Sequence, residues 1–240
     1  MRVQLEPAYV LHRRPYRETS LLVETLAQGY GRVAVVARGA RAERSPLRGL
    51  LQPFRPLLVS WSGRQDLMTL NGAEPAGVCA LSGRGLLAGF YVNELLTRLL
   101  ARHDPHAGLF EIYEQALAGL GCPGAEEQAL RVFERRLLEV LGYGLGLGDT
   151  DVAGARIEPD RAYRYRLEAG AVPADAGGEG LPVRGATLLA LASGQLPDRE
   201  TSREAKYLMR YVLQYYLGTR PLESRALFIR PGSGTVETQP

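Results

Sequence analysis

Five short runs with strand-like patterning lie between residues 8 and 74, and they constrain the fold of this 240-residue chain more than any other feature. Turn residues separate the runs, as expected for strands joined by tight connections. A short glycine-containing connection at residues 28–31 favours a hairpin between the second and third runs. A longer basic segment, residues 39–56, separates the third run from the fourth. Five strands with one long connection between strands three and four are the layout of an OB-fold β-barrel.

Apolar residues take up helical spacing after Gly85. A stripe of leucines and aromatic residues runs from Leu86 to Leu100 and predicts a first helix. Asp104 and Pro105 then provide an N-cap and a first-turn proline, which predict that a second helix begins there.

Two more helices and one irregular segment are predicted in the rest of the chain. Residues 125–141 have one apolar face. Thr201 and Glu204 have the spacing of a capping box and predict the start of a final helix. Residues 142–185 are rich in glycine and contain a strand-like segment, so they predict an insertion of loops and short strands.

The chain is therefore predicted to be an α+β protein of two domains. Residues 1–80 form a five-stranded OB-fold barrel, and residues 81–240 form a mainly α-helical domain with a disordered tail from about residue 231. The first ten residues carry charge and a proline, and no stretch approaches the roughly 20 apolar residues that span a bilayer. These features predict a soluble, cytoplasmic protein without membrane contact.

Cysteine and lysine usage argues against several kinds of chemistry. Cys79 and Cys122 are far apart in sequence, so they form no CxxC pair, and a four-cysteine zinc site is excluded. Lys206 is the single lysine, and it lies in no P-loop or Schiff-base motif. No GxSxG or HExxH motif occurs. The sequence thus predicts a protein that is not an enzyme and that holds no metal or cofactor.

Positive charge is concentrated in the N-terminal third of the chain. Residues 1–80 contain eleven arginines and six carboxylates, whereas residues 81–240 contain eighteen basic and twenty acidic groups. Guanidinium groups bind phosphates bidentately and release condensed counterions, so this local excess favours nucleic-acid binding over a merely solvated surface. The predicted DNA-binding residues are Arg13, Arg14, Arg17, Arg32, Arg38, Arg41, Arg44, Arg48 and Arg55.

Four aromatic residues of the predicted barrel are candidates for stacking on bases. Tyr16, Tyr30, Phe54 and Trp61 lie in or beside the strand-like runs. Barrel aromatics mostly point inward, so Phe54 and Trp61 are better interpreted as core residues.

Arg131, on the predicted helix 125–141, has two interpretations. It is either a surface partner of Glu127, four residues earlier, or an anion-binding residue beside an apolar pocket lined by Phe133, Leu137 or Tyr113. Exposed pairs at this spacing are common and individually weak, so the spacing alone favours the surface pair.

The order and spacing of several motifs resemble the RecO family of recombination mediators. The most specific are RPYRETS, GRVAVVARGAR and LRGLLQPF in the N-terminal third, and the likeness continues through YVNELLTRLL, ALRVFERRLLEVLGYG, YRYRLEAG and PLESRALF. The resemblance covers residues 7–228 and implies an OB-fold followed by a helical domain. It also implies binding of single- and double-stranded DNA, annealing of complementary strands, and association with the nucleoid.

The resemblance further implies partners. These are RecR, in some lineages RecF, and indirectly RecA, which is loaded onto strands coated by single-stranded-DNA-binding protein (SSB). The SSB C-terminal tail docks on the helical domain of the family, which implies that Arg131 holds the tail carboxylate and that Tyr113, Leu130, Phe133 and Leu137 form the pocket. Residues 142–170 contain no cysteine, so the chain resembles the branch of the family that lacks zinc.

Two other functions fit the same residues. An RNA-binding OB protein would use the same arginines and aromatic rings. A protein-interaction scaffold would use the arginines only to meet acidic partners.

Overall fold

The computed structural model describes residues 1–64, 67–143 and 145–228 of the chain. The strands are β1 (Arg2–Tyr16), β2 (Ser20–Ala27), β3 (Gly31–Ala37), β4 (Pro56–Ser62), β5 (Leu67–Pro75), β6 (Ala162–Arg166), β7 (Gly170–Pro173) and β8 (Leu181–Arg184). The α-helices are α1 (Pro46–Leu50), α2 (Gly83–Leu99), α3 (Leu109–Leu120), α4 (Glu126–Val140), α5 (Gly185–Ser193) and α6 (Arg199–Leu217), and short 3₁₀ helices lie at Ala174–Ala176 and Glu223–Phe228.

The first five strands form a closed barrel in the order β1-β2-β3-β5-β4. Strands β3 and β5 are parallel, and the other neighbours are antiparallel. This is the OB-fold layout predicted from the sequence. Strand β1 is longer than its predicted run because it pairs with both β2 and β4, with register irregularities between Val3 and Glu6 and between Val10 and His12. Such irregularities bend a strand and let it close a barrel.

Alternating side chains of the strands fill the barrel. In β4, Leu57, Val59 and Trp61 are buried and alternate with more accessible neighbours. Trp61 is 1% exposed, which agrees with the interpretation that it belongs to the core. Phe54 is also buried, but it packs outside the barrel against Phe90 of α2, with ring centroids 5.1 Å apart. The structure therefore uses both rings for packing.

The barrel and the helices share one hydrophobic cluster. The outward side chains of Tyr9, Leu11 and Leu26 lie in the same core as residues of α2, α3, α4 and α6. Asn93 of α2 donates a hydrogen bond to the Leu11 carbonyl at 2.9 Å and accepts one from the Tyr113 hydroxyl at 2.8 Å. The predicted domain boundary after residue 80 lies in the connection between β5 and α2, beside this shared packing.

Two predicted helix starts are wrong. Helix α3 begins at Leu109 instead of Asp104, after Gly108 in a left-handed conformation with φ 79°. Asp104 instead lies against the β2–β3 hairpin, where a Cβ on Gly31 would overlap its carbonyl. Helix α6 is capped by Asp198, whose carboxylate accepts from the Thr201 N–H at 2.8 Å.

The remaining elements pack around α4 and α6. The apolar face predicted from Leu130, Phe133, Leu137 and Leu141 is confirmed for the first three, which are buried, whereas Leu141 follows the helix and is half-buried. Strands β6, β7 and β8 form a small sheet in the order β7-β6-β8 within the glycine-rich insertion. Tyr165 of β6 is fully buried there and donates to the Leu145 carbonyl at 2.6 Å. The predicted disordered tail from residue 231 lies outside the described residues. Among the helices that are described, none has both the length and the apolar character that a membrane span requires.

Candidate nucleic-acid interface

The long connection between β3 and β4 carries most of the predicted DNA-binding arginines. Ala40 and Leu51 are buried in the barrel core, and Leu47 and Leu50 pack against it. Pro46 starts the short helix α1, which fits a residue that fixes the backbone for a first helical turn. Because the apolar residues of this connection face the barrel, its arginines are left on the outside. The exposed ones are Arg38, Arg41, Arg44 and Arg48.

Three arginines from two parts of the chain meet in one groove. We call it the arginine groove. It is lined by Arg13, Pro15, Leu21, Ala40, Arg41, Arg48 and Gln52. Arg13 reaches it from the end of β1, because that strand extends to Tyr16.

Backbone carbonyls, not carboxylates, hold Arg13 and Arg41 of the groove, and also Arg55, in place. Arg41 donates to the carbonyls of Arg17 and Glu18, both at 3.2 Å. Arg13 donates to the Arg48 carbonyl at 3.3 Å, and Arg55 donates to the Gly49 carbonyl at 3.1 Å. A carbonyl orients a guanidinium group without cancelling its charge. The groove therefore keeps its positive potential.

Two further arginines of the set extend this surface in different directions. Arg17 follows β1 in a left-handed conformation with φ 52°, and its guanidinium lies 5.3 Å from the centroid of the Tyr16 ring. Arg14 neighbours Arg13 in β1, and successive strand residues point to opposite faces. Arg14 accordingly lines a separate cleft between the barrel and α2.

Arg32 is placed differently from the other arginines of the predicted set. Its Nε lies 2.9 Å from a carboxylate oxygen of Glu24, and its Nη1 donates to the Thr97 carbonyl at 2.5 Å and to the Leu100 carbonyl at 3.0 Å. The side chain is only 17% exposed. Arg32 thus joins the barrel to the end of α2. Within the described residues, none of the other eight predicted arginines has a carboxylate within the 4.0 Å of an ion pair.

Glu24 is held as a charged group at this junction. Arg102 also pairs with it, from the segment that follows α2. Burial alone would raise the pKa of Glu24, but the hydrogen bonds and charges of Arg102 and Arg32 outweigh burial and hold that pKa below its ordinary value. No local sequence pattern indicates this junction, because Glu24 and Arg32 lie more than sixty residues from their partners at the end of α2, and several of those partners are main-chain carbonyls.

Arg131 lies inside the helical region, so the predicted surface pair with Glu127 is wrong. Its side chain is 4% exposed and lies 2.5 Å from the Glu134 carboxylate. The Tyr91 hydroxyl donates to the same carboxylate oxygen at 2.7 Å. Glu127 instead pairs with Lys206 of α6 at 2.7 Å. Arg131 falls on the face of α4 that packs against α2, and this face is not visible from spacing alone.

The residues predicted to bind the SSB tail are mostly enclosed. Tyr113 and Leu137 are fully buried, and Leu130 and Phe133 are no more than 8% exposed. Two donor atoms of Arg131, Nε and Nη1, have no partner in the described residues. An accessible apolar groove lies nearby between α3 and α4, and of the predicted set only Phe133 lines it.

The rim of this α3–α4 groove contains an arginine that was not among the predicted site residues. Arg136 lines the groove and donates to Gln115 across it. It lies four positions after Val132, another lining residue, so helical spacing would have placed the two on one face.

The barrel and its surface define a class of protein. The barrel is a closed OB-fold, and it carries a set of arginines that have no carboxylate partner among the described residues. These two features place the chain among OB-fold proteins that have a candidate nucleic-acid site on the barrel.

Comparison with known proteins identifies the family. Residues 1–78 match the family model of the Recombination protein O N terminal, and residues 81–226 match that of the Recombination protein O C terminal. The DNA repair protein RecO of Nitrosococcus oceani is 52% identical over 95% of this chain and 93% of its own length. The RecO proteins of Methylococcus capsulatus and Alkalilimnicola ehrlichii are 50% and 51% identical over 95% of this chain and over 93% and 91% of their own lengths. The chain therefore belongs to the RecO family of DNA repair proteins, and the predicted resemblance is confirmed.

Proposed function

We propose that this chain is a mediator of DNA repair and homologous recombination that acts without covalent chemistry. In this proposal it binds single- and double-stranded DNA on the barrel, anneals complementary strands, and with RecR helps to load RecA onto SSB-coated DNA in the nucleoid. The observation that carries the proposal is the set of eight barrel arginines that lack carboxylate partners in the described part of a RecO-family chain.

Phosphate binding explains why these arginines are left unpaired. An arginine that already pairs with a carboxylate gains little from a phosphate, because it must first give up its partner. The guanidinium groups of Arg13 and Arg41 are oriented by carbonyls and keep their full charge. They can form charge-assisted hydrogen bonds to a DNA backbone and release its condensed counterions.

The second part of the proposal concerns the helical region, which would dock the SSB tail. Two features support a site near α4, namely the unpartnered donors of Arg131 and the apolar groove that includes Phe133. A tail carboxylate at Arg131 requires local opening, because that side chain is buried. Docking would raise the local concentration of an SSB-coated strand beside the strand on the barrel. RecR, and RecF where it takes part, would act on this assembly before RecA.

A salt titration tests the barrel site. Replacing Arg38, Arg41 and Arg44 by alanine should weaken binding to a single-stranded oligonucleotide and flatten the dependence of log K on log salt, by about 0.7 for each phosphate that is no longer neutralised. The matching lysine variants keep the charge and should retain most of the slope. An unaltered slope in the alanine variant would show that this cluster is not the site. An RNA of the same sequence, bound more tightly than DNA, would indicate an RNA-binding protein instead.

An annealing assay tests the second part. Complementary strands are coated either with the cognate SSB or with SSB that lacks its C-terminal tail, and the rate of pairing is measured with and without this protein. Acceleration that depends on the tail supports both parts. Acceleration only on naked DNA retains the barrel site and removes the proposed tail site, and no DNA binding at low salt would favour the scaffold function.

A further inference from the structure

We propose that the exposed face of α6 is a second binding site for single-stranded DNA. This tyrosine face consists of Arg203, Tyr207, Arg210, Tyr211, Gln214 and Tyr215. The inference rests on the proposed DNA-binding function and adds a site that the barrel arginines do not include.

The helix itself separates this face from the core. Leu208, Met209, Val212 and Leu213 of α6 are buried against the rest of the helical region. The three tyrosines lie four residues apart on the opposite side and are 64%, 37% and 55% exposed in chain order. Four residues of an α-helix rise about 6 Å, so the rings form a ladder with one ring per turn.

Exposed aromatic rings in such a regular row are unusual. Single apolar side chains on a surface need no explanation, but a contiguous aromatic surface marks a binding site more often than chance. A tyrosine combines a large apolar ring with little conformational entropy to lose, which suits it to recognition. Packing against the described residues does not account for these three rings, since each of them is substantially exposed to solvent.

The C-terminal end of the ladder is already ordered. The Tyr215 ring contacts the Tyr216 ring edge-on, with centroids 5.1 Å apart. Tyr216 in turn stacks on Tyr143, with centroids 4.1 Å apart and an angle of 27° between the planes. The Tyr215 hydroxyl donates to Glu168 at 3.4 Å. A base that stacks on Tyr215 would therefore meet a ring whose orientation is fixed beforehand.

The charge on this surface favours an anionic partner. Arg210 and Arg225 line a shallow groove with the three tyrosines, and neither has a carboxylate within ion-pair distance in the described part of the chain. The two acidic residues of α6, Glu200 and Glu204, both pair with Arg184 at the other end of the helix. The aromatic rings are thus interleaved with free guanidinium groups.

Aromatic rings interleaved with positive charge match single-stranded DNA. Proteins that bind it stack successive bases on aromatic rings and hold the backbone with basic side chains. A rise of about 6 Å per ring exceeds the roughly 3.4 Å per nucleotide of a stacked duplex strand, so the ladder suits an extended strand with separated bases. A duplex offers no free base faces. A protein partner is the less favoured occupant, because the groove has Leu167 as its single aliphatic lining residue among those described.

The placement has a consequence for strand pairing. The arginine groove and the groove along the tyrosine face share no lining residue among those described. One chain would then hold two strands at once, one by its phosphates and one by its bases. Stacking on separate rings would also keep the second strand unfolded before pairing.

The experiment measures capture of a second strand. The full chain is bound to an immobilised oligonucleotide, and retention of a labelled, non-complementary strand is recorded as its concentration rises. The variant Y207A/Y211A/Y215A should lose at least about tenfold in affinity for the labelled strand, while Y207F/Y211F/Y215F should behave like the unmodified protein because phenylalanine still stacks. Binding of the first strand and its salt dependence should be unchanged in both variants.

Photocrosslinking gives an independent result. A strand that carries bromodeoxyuridine should crosslink to peptides of residues 203–215 in the unmodified protein. The inference is overturned if the alanine variant captures the second strand normally. If that variant at the same time no longer binds a protein partner such as SSB or RecR, the tyrosine face is a protein-binding surface instead. If the unmodified protein binds no DNA strand at all, the proposed function itself is wrong. This result differs from normal second-strand capture by the alanine variant, which contradicts only the site on α6. Thermal unfolding monitored by circular dichroism verifies that both variants fold.

Discussion

The barrel and the helical region use arginine in different ways. In the barrel, eight of the nine predicted arginines have no carboxylate partner in the described residues, and main-chain carbonyls hold several of them. In the helical region, six basic side chains pair with carboxylates of the same region. The pairs are Arg131–Glu134, Arg135–Glu139, Arg161–Asp175, Arg184–Glu204, Lys206–Glu127 and Arg220–Glu223. The net charge of +3 of the whole chain therefore does not reveal that the barrel carries a set of arginines without carboxylate partners among the described residues.

This difference shows how a fold can orient a cation without neutralising it. A carboxylate partner fixes a guanidinium group but cancels its charge, whereas a carbonyl fixes it through a dipole alone. The comparison predicts that the carboxylate-paired arginines of the helical region act mainly on stability and that the arginines of the barrel without such partners act mainly on DNA affinity. Four experiments test this separation.

The largest effect is expected at the buried ion pair. Replacing Glu134 by alanine leaves the Arg131 charge buried without its partner, which should lower the free energy of unfolding by about 3–5 kcal/mol. Urea denaturation measures the change. Glu139→Ala on the exposed side of the same helix is the control and should cost less than about 1 kcal/mol. Equal losses in the two variants would mean that burial of the pair is not what makes it important.

The second experiment removes charge from each region in equal amount. Arg13→Ala with Arg48→Ala should weaken binding of single-stranded DNA roughly tenfold to hundredfold, because two guanidinium groups no longer reach the phosphates. Arg135→Ala with Arg220→Ala removes the same charge from paired positions and should change affinity little. Fluorescence anisotropy at fixed salt measures both. Similar losses of affinity from the two double variants would show that net charge, not the free state of the barrel arginines, determines binding.

The third experiment concerns Glu24, the paired carboxylate at the junction of the two regions. Glu24→Gln should lower the free energy of unfolding at pH 7 by about 1–2 kcal/mol, since two arginines lose their charged partner. The pKa of Glu24 lies below its ordinary value of 4.5, so its charge stabilises the fold above that value, and this contribution is lost as the pH falls through the lower, folded-state pKa. The difference between variant and unmodified protein should therefore shrink in acid. A difference that grows below pH 4.5 would contradict this sign.

The smallest effect is expected for an exposed helical pair. Arg135 and Glu139 lie 2.6 Å apart at i,i+4 spacing on α4. A double-mutant cycle with alanine at both positions should give an interaction energy of about 0.3–0.5 kcal/mol, and it should decrease in high salt. A coupling above about 1 kcal/mol would place this pair with the buried one and weaken the distinction between surface and core.

Local patterns made the barrel predictable. Strand alternation is set by neighbouring residues, and the long connection at residues 39–56 identifies the barrel type without any tertiary information. The same connection shows where the arginines gather. It does not show that Arg13 and Arg14 point to opposite sides, because β1 is longer than its apolar run.

Tertiary packing gives two arginines partners that the sequence does not predict. Helical spacing favours a surface position for Arg131 because Glu127 lies one turn away, but the side chain meets Glu134 and Tyr91 in the interior. Charge alone groups Arg32 with its neighbours, although its partners include carbonyls at the end of α2. Neither set of partners has a sequence signal. The candidate DNA-binding residues themselves stay a prediction until binding is measured.

The contact made by Arg32 has a mechanical consequence. Its main-chain carbonyl accepts from the His103 N–H at 2.8 Å while its side chain holds Glu24 and the last carbonyls of α2, so the barrel is fastened to the helices by both backbone and side chain. A force on a DNA strand bound to the barrel would therefore be transmitted to α2 through these contacts and not taken up by a flexible linker. The distance between a barrel-bound strand and anything bound to the helices would thus depend on the contacts at this junction.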